Sequence, residues 1–233
     1  MLLTDVEHVF DYRGMSLPVT HGRRVHELRQ RVLRMQGAGV SRTLESLPAL
    51  AGVIRLKTGG AYATDSPSLA MALLAGPSQA GEWAAVVGVS DFGLEAAAAY
   101  GLDLDRTVVV PRPGEHWLSV TAGLLEVAGV VVVSPYAAVT DHQAERLRSR
   151  LRQKDAALVC LGDWPRADAT LRVTGSTWFG LGQGYGHLTG RQVEVRVSSA
   201  GPPRSVSLWL PAPDQTVIAI EEPSVRPIVR AVG

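Results

Sequence analysis

The chain has 233 residues, of which 46% are hydrophobic and 19% charged, so it can fold around a hydrophobic core and is too apolar to be disordered. Its net charge of +1 excludes binding of nucleic acid through overall charge, and any basic site must be a local patch. The apolar runs are shorter than the roughly 18 residues that span a membrane, and residues 1–13 lack the basic start of a signal peptide. A cytoplasmic protein is therefore expected.

The N-terminal region, residues 1–48, is predicted to be a lead-in followed by a basic amphipathic helix. From Arg23 to Gln36 apolar side chains recur at three- and four-residue steps, as on one face of a helix. The other face is a candidate contact surface for a partner protein or DNA, with packing on its own domain as the alternative. Its basic residues are Arg24, Arg29, Arg31 and Arg34.

The central region, residues 49–210, alternates strand and helix signals. This alternation predicts an α/β fold with a largely parallel central sheet flanked by helices. Strands are predicted at 52–57, 84–90, 107–110, 130–134 and 156–162, and helices at 67–75, 92–100, 115–128 and 141–153. The run from Val130 to Val133 is apolar on both faces, which is typical of a central parallel strand. Thr140 and Gln143 form a capping box before the last of these helices.

Beyond residue 168 no helix is predicted between strands, so antiparallel pairing is expected at the C-terminal end of the fold. The strands are predicted at 169–174, 192–198 and 205–210, with a flexible glycine-rich hairpin loop at 180–186. Residues 211–233 contain four prolines and are predicted to be a largely irregular tail.

The predicted tail contains a candidate contact for a partner protein. Gln215, Ile218 and Ile220 loosely match the spacing of peptides that bind sliding clamps, although the usual terminal aromatic or leucine is missing. The alternative is that this stretch adds a strand to the edge of a partner's sheet.

A basic stripe on the helix at 141–153 is a second candidate contact surface. A solvated helix face and a contact with DNA or an acidic partner both stay open for it. The stripe consists of Arg146, Arg148, Arg150, Arg152 and Lys154. No metal site is predicted, because the six histidines are scattered and the single cysteine, Cys160, lies in an apolar run typical of a buried strand.

A degenerate phosphate-binding loop is the most informative local feature. Nucleotide-binding loops read G-x-x-x-x-G-K-[ST] between a strand and a helix, because backbone amides and a lysine surround the phosphate oxygens. With Gly59 as the first glycine, Thr64 occupies the place of the second. Asp65 then replaces the lysine, and Ser66 alone keeps its residue type. The alternative is that this segment was never a phosphate loop.

The acidic residue that a nucleotide site needs at the end of a second strand is also absent from the sequence. The apolar strand at 130–134 ends in Ser134, where nucleotide hydrolysis requires an acid that holds Mg²⁺. A carboxylate at the lysine position repels a polyphosphate. Taken together, the two positions predict a protein without ATPase activity, bound metal or nucleotide cofactor.

Three segments between residues 49 and 200 carry a similarity to a known family. They are Gly52-Val-Ile-Arg-Leu56 with the helix at 68–73, the segment 100–115 with its Gly-Leu-Asp-Leu-Asp turn, and Val130-Val-Val-Val-Ser-Pro-Tyr-Ala-Ala-Val139. These segments resemble RecA, and the resemblance implies that residues 49–210 form a RecA-like domain. The resemblance implies that RecA's catalytic glutamate falls near Asp91 and its nucleotide-sensing glutamine near Asp163. Little room is left for RecA's two DNA-binding loops, so an active recombinase is not expected.

Short segments along most of the chain carry a closer similarity. They include Val25-His-Glu-Leu-Arg-Gln-Arg-Val32, Leu161-Gly-Asp-Trp-Pro165 and Leu208-Trp-Leu-Pro211. These resemble the RecA-like accessory group ImuA, especially its shorter actinobacterial form ImuA′. The resemblance implies a mutasome component of DNA-damage-induced translesion synthesis. Its expected partners are an ImuB-like Y-family polymerase homologue, an error-prone DnaE2-type polymerase and RecA, with weak or indirect DNA binding.

Two other functions stay open from the sequence. One is a RecA-like ATPase or DNA-repair enzyme with an atypical phosphate site that uses Ser66 and Asp91. The other is a cell-division inhibitor similar to SulA, which is also RecA-like and has no nucleotide site. Modulation of RecA filaments is compatible with the mutasome role.

Overall fold

A nine-stranded mixed sheet organises the computed structural model, which describes residues 41–182 and 185–220. The strands are β1 (Ala61–Thr64), β2 (Ala84–Val87), β3 (Thr107–Val110), β4 (Val130–Val133), β5 (Ala157–Leu161), β6 (Ala169–Gly182), β7 (Tyr185–Ser199), β8 (Arg204–Trp209) and β9 (Ile218–Ile220). Their order across the sheet is β3-β2-β4-β5-β1-β6-β7-β8-β9. All pairs from β3 to β6 are parallel, and those from β6 to β9 are antiparallel. The predicted mixed α/β class, largely parallel in the centre with antiparallel C-terminal strands, is confirmed.

Helices cover both faces of the parallel part of the sheet. They are α1 (Pro48–Ala51), α2 (Pro67–Gln79), α3 (Leu94–Ala99), α4 (Trp117–Leu124) and α5 (Asp141–Lys154). Apolar residues of α2 and α3 belong to one core cluster, and those of α4 and α5 belong to a second cluster on the opposite face. No helix among the described residues is long and apolar enough to cross a membrane.

The apolar sequence of β4 is explained by its burial on both faces of the sheet. Val130 and Val132 pack in the first core cluster, whereas Val131 and Val133 pack in the second. Alternate side chains of a strand point to opposite faces, so a strand with helices on both faces needs an apolar residue at every position. The prediction of a buried central strand is confirmed.

The N-terminus of α5 forms by the predicted capping box. The Thr140 hydroxyl accepts a hydrogen bond from the Gln143 backbone N–H at 3.2 Å, and the Gln143 side chain accepts one from the Thr140 N–H at 3.0 Å. These contacts satisfy donors that a helix start otherwise leaves without partners. The predicted apolar stripe of Ala144, Leu147 and Leu151 is buried.

The predicted first strand at 52–57 is wrong. The strand that joins the sheet is Ala61-Tyr-Ala-Thr64, which lies after the two glycines instead of before them. Val53, Ile54 and Leu56 are buried without being strand residues. Burial on both faces of the sheet outweighs the weak strand propensity of alanine in β1, which a local reading of residue types does not capture.

The C-terminal strands also extend further than expected. The flexible loop predicted at 180–186 is wrong in part, because β6 runs to Gly182 and β7 begins at Tyr185. Gly180 adopts a φ of 103° at a β-bulge, a conformation that favours glycine and lets pairing continue. The tail predicted to be irregular contains β9, which pairs with β8. The core also begins earlier than residue 49, since Leu44 and Leu47 are buried.

Candidate functional site

The connection between β1 and α2, where a phosphate loop would lie, consists of Asp65 and Ser66 alone. A G-x-x-x-x-G-K-[ST] loop needs about eight residues to surround a phosphate group. Gly59, taken from the sequence as the first glycine of that loop, lies at the other end of β1, where its N–H donates to the carbonyl of Ala156 at 2.8 Å. That assignment is therefore wrong, because the strand lies between the glycine and the helix.

The two hydroxyl groups at this connection are engaged within the chain. Thr64 is fully buried, and its hydroxyl accepts a hydrogen bond from the Ser66 N–H at 3.2 Å. The Ser66 hydroxyl accepts one from the Leu69 N–H at 3.3 Å and so caps the N-terminus of α2. Pro67 at the first helical position suits the same helix start. Ser66 acts here as a helix cap, a role that a metal-binding serine of a phosphate loop does not have.

Asp65 ties the β1–α2 connection to the long hairpin of β6 and β7. One carboxylate oxygen accepts a hydrogen bond from the Val173 N–H at 3.1 Å. The register of β6 against β7 shifts between Val173 and Gly175, so this amide lies next to a β-bulge. An amide beside a bulge lacks regular ladder geometry, and the aspartate gives it an acceptor.

Arg172 completes this arrangement, and its role was missed by the sequence analysis. Its guanidinium lies 3.9 Å from Asp65 and also pairs with Asp163. An arginine of the protein itself therefore stands between the two carboxylates. No local signal could have identified it, because Arg172 looks like an ordinary outward-facing strand residue until β6 is placed beside β1.

The other residues of the degenerate site do not join Asp65. Ser134 follows β4, which is separated from β1 by β5. Asp91 follows β2, one strand further along the sheet, and is exposed. Of the predicted set, Thr64, Asp65 and Ser66 come together, whereas Gly59 and Ser134 lie elsewhere.

Ser134 lines a cleft of about 540 Å³ at the carboxyl ends of β2, β3 and β4. Its walls come from Gly88, Ser90, Pro111, Arg112, Pro113, Gly114, Ser134, Pro135 and Tyr136. Gly88 has a φ of 79°, and a Cβ atom there would lie 2.2 Å from the carbonyl oxygen of Ser134. Only glycine fits at this position, where the connections after β2 and β4 approach each other.

The basic stripe of α5 is largely neutralised by neighbouring acids. Arg148 pairs with Asp168 at 3.1 Å, Arg150 with Glu126 at 2.5 Å, and Arg152 with Glu145 at 3.2 Å. Lys154 also pairs with Glu126 at 2.5 Å, and these two cations lower the pKa of that carboxyl. Within the described residues Arg146 is the member of the stripe without an ion pair. The stripe therefore offers less free positive charge than its sequence suggests.

The antiparallel strands have one buried and one open face. Val193, Val195 and Val197 of β7 are buried in the first core cluster, whereas Glu194 and Arg196 between them are exposed. The same alternation in β8 places Leu208 in the core and Trp209 on the open face.

An aromatic patch, defined here as Phe179, Trp209, Ile218 and Ile220, lies on this open face. The rings of Phe179 and Trp209 are 4.9 Å apart, and Trp209 pairs across the strands with Ile218. Phe179 is 37% exposed and Ile218 43% exposed. The two isoleucines singled out in the sequence as clamp-binding anchors are thus strand residues of β9, and Gln215 lies in the turn before it with a φ of 67°.

Two further sequence predictions can be placed. Cys160 is buried in β5 as predicted, and burial raises the pKa of its thiol to about 12. The N-terminal arginines 24, 29, 31 and 34 lie outside the described residues.

Two comparisons relate the chain to known proteins. Residues 48–166 match the family described as the MT3502 N-terminal domain. The chain is also 36% identical over 129 residues to the uncharacterized protein Rv3395c of Mycobacterium tuberculosis. That alignment covers 54% of this chain and 62% of the relative, so the chain spans less than two thirds of the relative's length.

Proposed function

The chain belongs to the family of the MT3502 N-terminal domain, and we propose that it is a non-catalytic, RecA-like accessory protein of damage-induced translesion DNA synthesis. In this proposal it is a mutasome component similar to ImuA′. It acts through contacts with an ImuB-like Y-family polymerase homologue. The assignment to translesion synthesis rests on the segments that resemble RecA and ImuA. The structure supports action through protein contacts without catalysis.

The β1–α2 connection is the observation that carries the non-catalytic part of the proposal. Two residues cannot wrap a phosphate group with backbone amides, and both hydroxyls there are used within the chain. Asp65 accepts a hydrogen bond from the Val173 N–H of β6 and pairs with Arg172 of the same strand. A triphosphate would have to displace these contacts and approach Asp65 without a lysine to balance its charge.

The aromatic patch supports action through protein contacts. Phe179, Trp209 and Ile218 form a contiguous apolar surface on a sheet face that is otherwise polar, with exposed Glu194 and Arg196 beside it. An apolar centre with a polar rim is the usual composition of a protein–protein interface, and tryptophan is enriched among the residues that dominate binding energy. The C-terminal strands are therefore the preferred contact region.

A charge placed in the patch tests this proposal directly. We expect Ile218→Glu to weaken binding of the purified chain to the Y-family polymerase homologue of its own genome at least tenfold, which is about 1.4 kcal/mol. Leu94→Glu is the matched control, since Leu94 is 44% exposed, much as Ile218 is, but lies at the start of α3. Binding is measured by surface plasmon resonance, and circular dichroism checks that both variants are folded.

The outcomes separate clearly. Loss of binding in Ile218→Glu alone supports the patch as the interface. An equal effect of both substitutions assigns the loss to general charge, and absence of binding by the unmodified chain overturns the proposal.

A further inference from the structure

The cleft that contains Ser134 lies where the sheet changes the direction of its connections. After β2 the chain continues into α3, whose Ala97 packs in the first core cluster. After β4 it continues into α5, whose Leu147 and Leu151 pack in the second cluster on the other face. β2 and β4 are neighbours in the sheet. In open α/β sheets, neighbouring strands whose connections diverge to opposite faces leave a crevice at their carboxyl ends, and ligands bind there.

The floor of the cleft is built from backbone with little freedom to move. The Gly88 N–H donates to the Val110 carbonyl at 2.9 Å, and the Ser134 N–H donates to the Val87 carbonyl at 2.8 Å. The three strands are therefore joined just below the cleft. Pro111, Pro113 and Pro135 stiffen the walls, since proline fixes its own φ. The cleft is formed before any ligand enters.

Four polar side chains line the cleft: Ser90, Arg112, Ser134 and Tyr136. None of them is hydrogen-bonded or ion-paired to another residue in the described part of the chain. No carboxylate is among the lining residues, although Asp91 and Glu115 adjoin them in the sequence. Arg112 is thus the only charged group of the lining, unlike the paired arginines of α5.

These groups match one kind of ligand. A guanidinium with two hydroxyls suits a phosphate group, which carries about −1.5 to −2 charges near neutral pH. Tyr136, which is 68% exposed at the rim, and the prolines offer flat surfaces for a planar ring. We propose that this cleft binds a mononucleotide, with Arg112 on the phosphate group and Tyr136 against the base. The site is separate from the β1–α2 connection, and it does not depend on the proposed partner.

Ligand-detected saturation-transfer NMR with thymidine monophosphate tests the site in the full chain. We expect a dissociation constant tighter than about 1 mM, and clearly weaker binding of thymidine, which lacks the phosphate group. Arg112→Glu should weaken binding at least tenfold, and Tyr136→Ala should weaken it several-fold. Arg55→Glu is the control. Arg55 is also exposed and has no described ion pair, but it precedes β1 and so lies towards the amino ends of the parallel strands, away from the cleft.

Each outcome decides the proposal. Selective loss in Arg112→Glu with normal binding by Arg55→Glu supports the cleft. Equal loss in both variants, or binding of thymidine as tight as that of its monophosphate, overturns it. A thymidine oligonucleotide serves as competitor: if it binds and free monophosphate does not displace it, the surface recognises a strand and the mononucleotide assignment is wrong.

Discussion

Asp65 has a structural role at the position where the sequence motif would require a lysine. Its carboxylate accepts the amide of Val173 and lies near Arg172, so it links the start of α2 to the hairpin of β6 and β7. A residue of the opposite charge would leave the amide without an acceptor and face the arginine. The negative charge at this position therefore suits its two contacts, the Val173 amide and Arg172.

Asp65→Lys should consequently not create a nucleotide site at the β1–α2 connection, and it should lower the stability of the protein. We expect the variant to bind ATP in the presence of Mg²⁺ no more tightly than the unmodified chain does. The free energy of unfolding should fall by about 1–3 kcal/mol, since a hydrogen bond to a charged group is lost and two cations are brought together. Urea denaturation and isothermal titration calorimetry measure these two effects.

Asp65→Asn provides the control for this prediction. It keeps an acceptor oxygen for the Val173 amide and introduces no positive charge, so it should lose less stability than the lysine variant. Tighter ATP binding by Asp65→Lys than by the unmodified chain, or ATP hydrolysis by either, would contradict the non-catalytic assignment.

At the scale of elements, α5 depends on local signals that can be read from sequence. Its start is fixed by Thr140 and Gln143, and its buried face by three residues at helical spacing. We expect Thr140→Ala to lower the free energy of unfolding by about 1 kcal/mol, because it removes the capping hydroxyl. Thr140→Ser keeps the hydroxyl and should stay within a few tenths of a kcal/mol of the unmodified chain. Chemical denaturation followed by circular dichroism compares the two, and equal losses would show that the cap contributes little.

The fold could be predicted where local sequence signals determine an element, and not where distant neighbours determine it. Elements with a periodic apolar pattern, such as β4 and α5, were placed to within a residue or two of their ends. β1 was misplaced because Ala61 and Ala63 belong to a strand only through neighbours distant in the sequence, β5 and β6. The misplacement of β1 also misplaced the phosphate loop, since that motif is defined by the strand before it.

The candidate sites were less accessible to sequence reasoning. Ile218 and Ile220 were noticed for their spacing, but their place beside Trp209 follows from the pairing of β8 and β9. The cleft around Ser134 joins residues from three connections that are far apart in sequence. Neither surface has a local motif, because both arise from strand order.

At the scale of the whole molecule, the sheet continues past the region matched by the family. Beyond residue 166 the sheet adds β6, which is parallel to β1, and then the antiparallel strands β7, β8 and β9. Ala212 is fully buried, and its N–H donates to the Thr216 carbonyl at 2.8 Å in the turn that leads to β9. The Arg191 N–H donates to the Pro211 carbonyl at 2.8 Å. Residues 211–220, the described part of the predicted tail, therefore belong to the folded unit.

Removal of the last strand should therefore destabilise the entire protein. A chain ending at residue 210 should melt about 5 °C or more below one ending at residue 220, since it loses β9 and two or more backbone hydrogen bonds. Differential scanning calorimetry of the two truncated chains makes the comparison. Equal melting temperatures would show that β9 does not contribute to the stability of the sheet.

The length of the β1–α2 connection bears on how this lineage can change. A single-codon replacement can place a lysine at position 65 but cannot lengthen a turn of two residues. A phosphate cradle would need several codons inserted between Thr64 and Ser66, and the helix cap and the tie to β6 would be broken while they accumulate. Single substitutions therefore offer no gradual route to nucleotide hydrolysis at this position.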